Sequence, residues 1–167
     1  MNSLIQTVPD VKASWTNTDN VHLTLKFLGN ISLDQVSRLS EAATAATADL
    51  GSFQLRVGST GVFPGRSRPK VLWIGVNDPS RGLAQLHSRL ETECAVKGFP
   101  TEDRAFKPHL TIARLRENRD ARKLVDAHLA QSFPEVTFDV AELIVFRSEL
   151  SSHGSNYTVI SKHRLRP

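Results

Sequence analysis

Two short segments of the chain place a histidine and a threonine two residues apart. Residues 22–25 read His-Leu-Thr-Leu, and residues 109–112 read His-Leu-Thr-Ile. An imidazole has an ordinary pKa of about 6.5, so it can hold or release a proton at neutral pH. Two imidazoles across a scissile bond can act as acid and base, each worth about 10²–10⁴-fold in rate. Two threonine hydroxyls can donate hydrogen bonds to phosphate oxygens. The pattern therefore indicates acid–base chemistry on a phosphoester.

Both motifs lie in segments with the composition of β-strands, and strand geometry decides which side chains act together. Side chains alternate across a strand. In Val21–Gly29, His22, Thr24 and Lys26 are therefore predicted to share one face, and apolar residues that include Phe27 the other. The second motif has the same arrangement. One His-x-Thr motif would indicate structure only, because Thr is a good strand former. Two copies with the same polar face favour a functional site.

The cysteine and histidine content predicts a site without metal. Zinc sites use three or four protein ligands, and the two motifs supply two imidazoles with no Cys or carboxylate partner at ligand spacing. Cys94 is the only cysteine, which excludes an internal disulfide and a Cys-rich zinc site. A single cysteine also suits a reducing cytoplasm. We expect neither a metal nor another cofactor.

Length and composition are those of an ordinary globular protein. The chain has 167 residues, of which 40% are hydrophobic and 23% charged, which fits one domain or two small lobes. No apolar run approaches the roughly 20 residues that span a bilayer. The N-terminus lacks the features of a signal peptide, so we expect a cytoplasmic protein with no membrane partner. The formal net charge of +4 weakly favours a polyanion such as RNA as partner.

Helices and strands alternate along the sequence. Three helices are predicted, each after a cap residue: Leu33–Leu50 after Ser32, Pro79–Lys97 after Asp78, and Arg119–Ala130 after Asn118. Strands are predicted over six segments: Val21–Gly29, Phe53–Gly58, Lys70–Val76, His109–Leu115, Val136–Ser148 and Asn156–His163. Three helices are too few for a doubly wound parallel sheet. We therefore predict an α+β fold with mainly antiparallel sheets and outer helices, in two similar lobes that each hold one motif.

Three segments that include the motifs carry a resemblance to a known family. They are Trp15–Gly29, with the pattern W-x-x-x-x-N-V-H-L-T-L-K-F-L-G, Val62–Val76, with V-F-P-G-R-S-R-P-K-V-L-W-I-G-V, and Phe106–Arg114, with F-K-P-H-L-T-I-A-R. In this order they resemble the 2H phosphoesterase superfamily, and within it the RNA 2′,3′-cyclic phosphodiesterases, also called the 2′-5′ RNA ligase family. The resemblance extends from Trp15 to Val159.

This resemblance implies a fold, a reaction and a role for each motif residue. The fold is one bilobal α+β domain, here residues 1–167, around a central cleft. The reaction is metal-independent hydrolysis of a 2′,3′-cyclic phosphate at an RNA end to a 2′-phosphate. The resemblance assigns His22 as proton donor, His109 as proton acceptor, and Thr24 and Thr111 as phosphate ligands. Several members also join or cleave 2′-5′ linkages in RNA. No obligate protein partner is implied.

The chain departs from the family pattern at its N-terminus. Family members begin with a strand that ends in Leu-Pro, and a helix follows before the tryptophan. Only fourteen residues precede Trp15 here, and they match the end of that helix. We therefore expect the N-terminal strand of the family to be missing from this chain. A missing strand would leave a sheet edge or groove uncovered.

Several other polar residues have more than one interpretation. Strand parity puts Arg114 on the face opposite His109 if the strand is regular, although the family often has Arg there. Arg114 is thus either a phosphate ligand or part of a surface ion pair. Lys26 either adds positive charge near His22 or is a solvated strand lysine. The remaining histidines are interpreted as surface or structural residues: His87, His128, His153 and His163.

Three alternative functions fit the same motifs. One is a phosphodiesterase for small cyclic nucleotides or 2′-5′ oligonucleotides, which would differ only at the rim of the site. Another is a protein that binds RNA ends without catalysis, although binding alone needs no pair of proton-transfer groups. The third is a structural two-lobed protein. Substitution of either motif histidine by alanine separates catalysis from a structural role.

Overall fold

The computed structural model describes residues 2–7, 11, 13–115, 121–151 and 154–167. The chain divides into two compact units. The first unit comprises Met1–Thr24, Val57–Asn77 and Pro108–Val136, and the second comprises Leu25–Arg56, Asp78–Lys107 and Thr137–Pro167. Among the described residues, no helix is both long and apolar enough to cross a membrane.

The elements confirm the predicted α+β class. The helices are α1 (Asn2–Thr7), α2 (Leu33–Thr47), α3 (Gly82–Val96) and α4 (Ala121–Leu129). The strands are β1 (Ala13–Trp15), β2 (Phe53–Phe63), β3 (Val71–Asn77), β4 (His109–Leu115), β5 (Val136–Val140), β6 (Glu142–Ser151) and β7 (Gly154–Arg164). One sheet has the order β1-β4-β3-β2-β5, and β6 and β7 form a second. The pairs β1–β4, β3–β4 and β6–β7 are antiparallel.

The predicted helix starts are partly correct. Ser32 and Gln35 form the expected capping box at the start of α2. Asp78 does not directly precede its helix, because α3 begins at Gly82, but its carboxylate accepts the N–H of Ala84 at 2.9 Å. Asn118, the predicted cap of α4, lies outside the described residues.

The predicted strand over Val21–Gly29 is wrong. Only Leu23 makes a β-bridge there, and the residues around it have no regular strand pairing. Phe27, predicted to face the core, is 80% exposed. Alternation of apolar residues predicts a strand only where a neighbouring strand continues the ladder. The predicted strand over Val136–Ser148 is two strands, because Ala141 separates β5 from β6.

The core of the first unit lies under strands β3 and β4. Its buried residues come from α1, the bend before β1, β3, β4 and α4: Leu4, Val11, Leu72, Ile112, Ala113, Leu124 and Val125. Both His-x-Thr motifs belong to this unit. The prediction of one motif in each lobe is therefore wrong. The two motifs share one unit because strand β4 and the Leu23 segment pair directly.

In the second unit, Lys26 is buried in an ion pair. Its Nζ lies 2.7 Å from Oε1 of Glu91, and the two side chains are only 7% and 17% exposed. Lys26 also donates to the carbonyl of Pro100 at 2.9 Å, and the N–H of Glu102 donates to Glu91 at 3.1 Å. The prediction of a solvated strand lysine is wrong, because Lys26 is buried and its charge is paired with Glu91.

This ion pair predicts a stability difference that depends on pH. Burial raises the pKa of the Glu91 carboxyl, but the hydrogen bonds from Lys26 and Glu102 outweigh burial, so the pKa is lowered. A lowered carboxyl pKa stabilises the fold above its unfolded value of about 4.3, and this contribution is lost as pH falls through the folded pKa. We expect Glu91→Gln to be less stable than the wild type at neutral pH and to approach it in acid. Thermal unfolding at several pH values tests this, and a constant difference would contradict it.

Candidate active site

A short turn before the first motif fixes the ring of His22. Residues Thr18–Asn20 form a 3₁₀ turn, and the side chain of Asn17 accepts the N–H of Asp19 at its start. Nδ1 of His22 lies 2.7 Å from the carbonyl oxygen of Asn20. A carbonyl can only accept a hydrogen bond, so Nδ1 carries a proton. The hydrogen bond to Asn20 therefore fixes the orientation of the His22 ring.

The two motifs meet through one backbone bridge. Leu23 pairs with Leu110 in antiparallel orientation. An antiparallel register continued by one residue on each side would set His22 across from Thr111 and Thr24 across from His109. Residues directly opposite in such a pair have β-carbons about 4.5–5.5 Å apart. The bridge therefore joins the segment of the first motif directly to strand β4, which carries the second.

Two aromatic rings contact the imidazole of His109. The ring of Phe63 meets it edge to face with centroids 4.9 Å apart, and that of Trp73 lies 6.3 Å away. The two aromatic rings also contact each other at 5.1 Å. We call Phe63 and Trp73 the aromatic wall of His109. Trp73 is half-buried, and its ring faces His109.

A glycine makes room for the indole of this wall. A β-carbon added at Gly61 would lie 1.9 Å from Cζ2 of Trp73, which is shorter than any real contact. Gly75, which pairs with His109 in the ladder, instead makes room for Ser59, because a β-carbon there would lie 2.4 Å from the Ser59 hydroxyl oxygen. The Trp73 ring thus lies against the bare backbone of β2.

Arg114 lies on the same face of the sheet as His109. In the β3–β4 ladder Trp73 pairs with Thr111 and Leu72 with Ala113, so β4 has one extra residue, a β-bulge at Ile112. Arg114 pairs with Val71, which shares its face of β3 with Trp73. The bulge reverses the parity of a regular strand. The strand is therefore not regular, and the condition under which Arg114 would face away from His109 is not met.

Other basic residues of the first unit are less suited to a site. Arg66, in the loop between β2 and β3, lies 3.0 Å from the carboxylate of Asp126, and both side chains are largely exposed.

Within the described part of the chain, no group of three His, Cys, Asp or Glu side chains could hold a metal ion.

Two shallow pockets lie in the second unit, and no motif residue lines either of them. Their volumes are about 440 and 430 Å³. The second is at the C-terminal end of α2, with Lys162, Arg164 and Arg166 in its lining. The C-terminal end of a helix carries partial negative charge and attracts cations. Two of these basic side chains also have carboxylate partners, since Lys162 pairs with Glu142 and Arg166 with Asp49.

His128 of α4 is buried, which the sequence interpretation left open between surface and structure. Its side chain is 1% exposed. The helix pattern holds a signal for this burial, because Ala121, Leu124, Val125 and His128 follow one another at the spacing of a single helix face. All four are buried.

Comparison with known proteins places the chain in a family. Residues 13–151 match the model of the 2′-5′ RNA ligase superfamily. The chain belongs to this superfamily, whose members are 2H phosphoesterases. It is 32% identical over 149 residues to the RNA 2′,3′-cyclic phosphodiesterase of Thermotoga maritima, covering 89% of this chain and 77% of that one.

Further relatives support the same assignment. The RNA 2′,3′-cyclic phosphodiesterase of Escherichia coli K12 is 30% identical over 151 residues, which cover 88% of this chain and 77% of that protein. The fold is similar to the crystal structure of E. coli LigT complexed with 3′-AMP, with a TM-score of 0.72 and 29% identity. That match covers 98% of this chain and 87% of the solved one.

Proposed function

We propose that the protein is an RNA 2′,3′-cyclic phosphodiesterase that forms a 2′-phosphate. The observation that carries the proposal is the bridge between Leu23 and Leu110, because it joins the backbone segments of the two His-x-Thr motifs directly. The relatives named for this activity supply the substrate class. We further propose that the protein acts in the cytoplasm, which its single, buried cysteine suits.

The proposed reaction is one in-line displacement at phosphorus. His109 takes a proton from water, and the water oxygen attacks phosphorus. The bond from phosphorus to the 3′ oxygen breaks, and His22 gives its proton to that oxygen. The products are a 2′-phosphomonoester and a free 3′ hydroxyl, and the two histidines exchange protons with solvent before the next cycle. The assignment of acid to His22 and base to His109 follows the family pattern. No metal takes part in the proposed step.

Thr24, Thr111 and Arg114 are proposed to hold the non-bridging phosphate oxygens. The register of β3 and β4 supports this for Thr111 and Arg114, which share the sheet face of His109, and the bridge at Leu23 brings the segment of Thr24 beside β4. Negative charge on these oxygens grows during the attack, so donors placed beside them lower the barrier. A guanidinium can donate two parallel hydrogen bonds to a phosphate.

Replacement of Thr111 by valine tests one of these donors. Valine keeps the branched shape of threonine and removes its hydroxyl. A hydrogen bond to a charged group contributes about 1.5–3 kcal/mol, so kcat/KM is expected to fall roughly 10–150-fold. Thr158→Val, on exposed strand β7, is the matched control and is expected to leave kcat/KM unchanged. Equal values for the Thr111 variant and the wild type would remove Thr111 from the phosphate site.

The substrate class is tested by comparing two cyclic phosphates. An RNA oligonucleotide with a 2′,3′-cyclic phosphate end and a mononucleoside 2′,3′-cyclic phosphate are each incubated with the protein in the presence of chelator. We expect hydrolysis of both and a higher kcat/KM for the oligonucleotide. A preference for the mononucleotide would favour the alternative of a small cyclic nucleotide phosphodiesterase. Binding of the RNA end without turnover would favour the non-catalytic alternative.

A further inference from the structure

A buried histidine joins the two strands that carry the aromatic wall. Nε2 of His128 lies 3.1 Å from the carbonyl oxygen of Gly61 on β2 and 3.1 Å from that of Trp73 on β3. Both partners are backbone carbonyls, which can only accept, so Nε2 carries a proton and donates to both. A single side chain thus holds the two strands beside the motif.

The ring of His128 is neutral in this setting. Burial lowers its pKa, although the two backbone hydrogen bonds act in the opposite direction. With the proton on Nε2, Nδ1 has none, and among the described residues it has no hydrogen-bond partner. A charged ring would carry a second donor there without an acceptor, which is costly in a buried position. His128 therefore acts through one donor only.

The indole of Trp73 depends on this backbone arrangement. Its Nε1 is buried and has no hydrogen-bond partner among the described residues. The ring is held instead by its contact with the backbone of Gly61, the residue whose carbonyl His128 binds. Phe63 follows Gly61 by two residues and is the last residue of β2. The hydrogen bond from His128 to Gly61 therefore also fixes the end of the strand that carries the Phe63 ring. Both rings contact His109.

We propose that His128 is a positioning residue, which holds the aromatic wall of Phe63 and Trp73 against His109 and so fixes the orientation of that imidazole. This inference rests on the proposed role of His109 as the base. A base acts only when its nitrogen points at the attacking water, and a misplacement of about 1 Å can cost 10²-fold in rate. His128 itself contacts no reacting atom.

Two substitutions of His128 separate positioning from simple packing. His128→Met has similar volume and no donor, whereas His128→Gln keeps an N–H group near the position of Nε2. Arg122→Gln, at an exposed position of the same helix, is the matched control. The measurements are kcat and KM on the RNA cyclic phosphate, and the proton NMR signal of the His109 ring, assigned with His109→Ala. The NMR signal reports ring currents from Phe63 and Trp73 and does not require activity.

The positioning role predicts a specific combination of results. His128→Met is expected to lower kcat about 10–100-fold with little change in KM and to shift the His109 signal. His128→Gln is expected to keep most of the wild-type kcat and most of the wild-type position of the His109 signal. The Arg122→Gln control is expected to change neither quantity. A folded His128→Met variant with an unchanged kcat and an unchanged His109 signal would overturn the proposal.

Two further outcomes remain decisive. If His128→Met does not fold, Phe63→Leu tests the wall directly, and unchanged kcat and NMR signal in that variant would overturn the proposal. If the wild type hydrolyses no cyclic phosphate, the proposed function fails, but the His109 signal still shows whether His128 positions that ring.

Discussion

His22→Ala and His109→Ala are each expected to lower kcat for the RNA cyclic phosphate by about 10²–10⁴-fold. Each substitution removes one proton-transfer group and leaves the phosphate ligands in place. Both rings are half-buried and alanine fits either position, so the variants are expected to fold and to bind the RNA end. Single-turnover rates give the loss in the chemical step, and RNA binding measured on the same preparations gives the affinity for the RNA end.

His87→Ala is the matched control for these variants. His87 stacks on Phe106 with ring centroids 4.0 Å apart, in the second unit and outside both motifs. Its replacement is expected to leave the rate unchanged. Rates for His22→Ala and His109→Ala that equal the rate of this control would show that the motifs are scaffold, as in the structural alternative.

Gly61→Ala is expected to be the most damaging small substitution in the first unit. The added methyl group would overlap the Trp73 indole, so the indole or strand β2 has to move. Overpacking of this kind costs about 1–3 kcal/mol, which in a chain of this length lowers Tm by roughly 2–12 °C. Because the indole contacts His109, kcat is expected to fall as well.

Gly65→Ala provides a steric control in the same part of the chain. A β-carbon at Gly65 would meet no described atom within 4 Å, and neither glycine is among those with positive φ. The two substitutions therefore differ in the space around the methyl group and not in backbone strain. Thermal unfolding of both variants compares them directly. Equal Tm values for Gly61→Ala and Gly65→Ala would contradict the packing of Trp73 on β2.

The chemistry of the site could be predicted from the sequence because a repeated motif is a local signal. His-Leu-Thr occurs twice, and strand β4 begins at His109 as predicted. The cross-pairing of the motifs could not be predicted. It depends on a single bridge between residues 87 positions apart, and no local pattern encodes such a contact.

Arg114 and Lys26 show where alternation along a strand fails. The prediction for Arg114 assumed that side chains alternate regularly along β4. The bulge at Ile112 adds one residue to this strand, which brings Arg114 back to the sheet face of His109. Lys26 was interpreted within its own segment, but its partner Glu91 lies 65 residues away. In both cases a long-range contact decided the environment of the side chain.

The central claim is most directly tested by the identity of the product end. An RNA oligonucleotide with a 2′,3′-cyclic phosphate is incubated with the purified protein and chelator, and phosphorus NMR identifies the monoester that forms. The proposed roles predict a 2′-phosphate, because His22 protonates the departing 3′ oxygen, and formation of that product about 10²–10⁴-fold more slowly with His22→Ala or His109→Ala. A 3′-phosphate, or no product from folded wild-type protein, would contradict the claim.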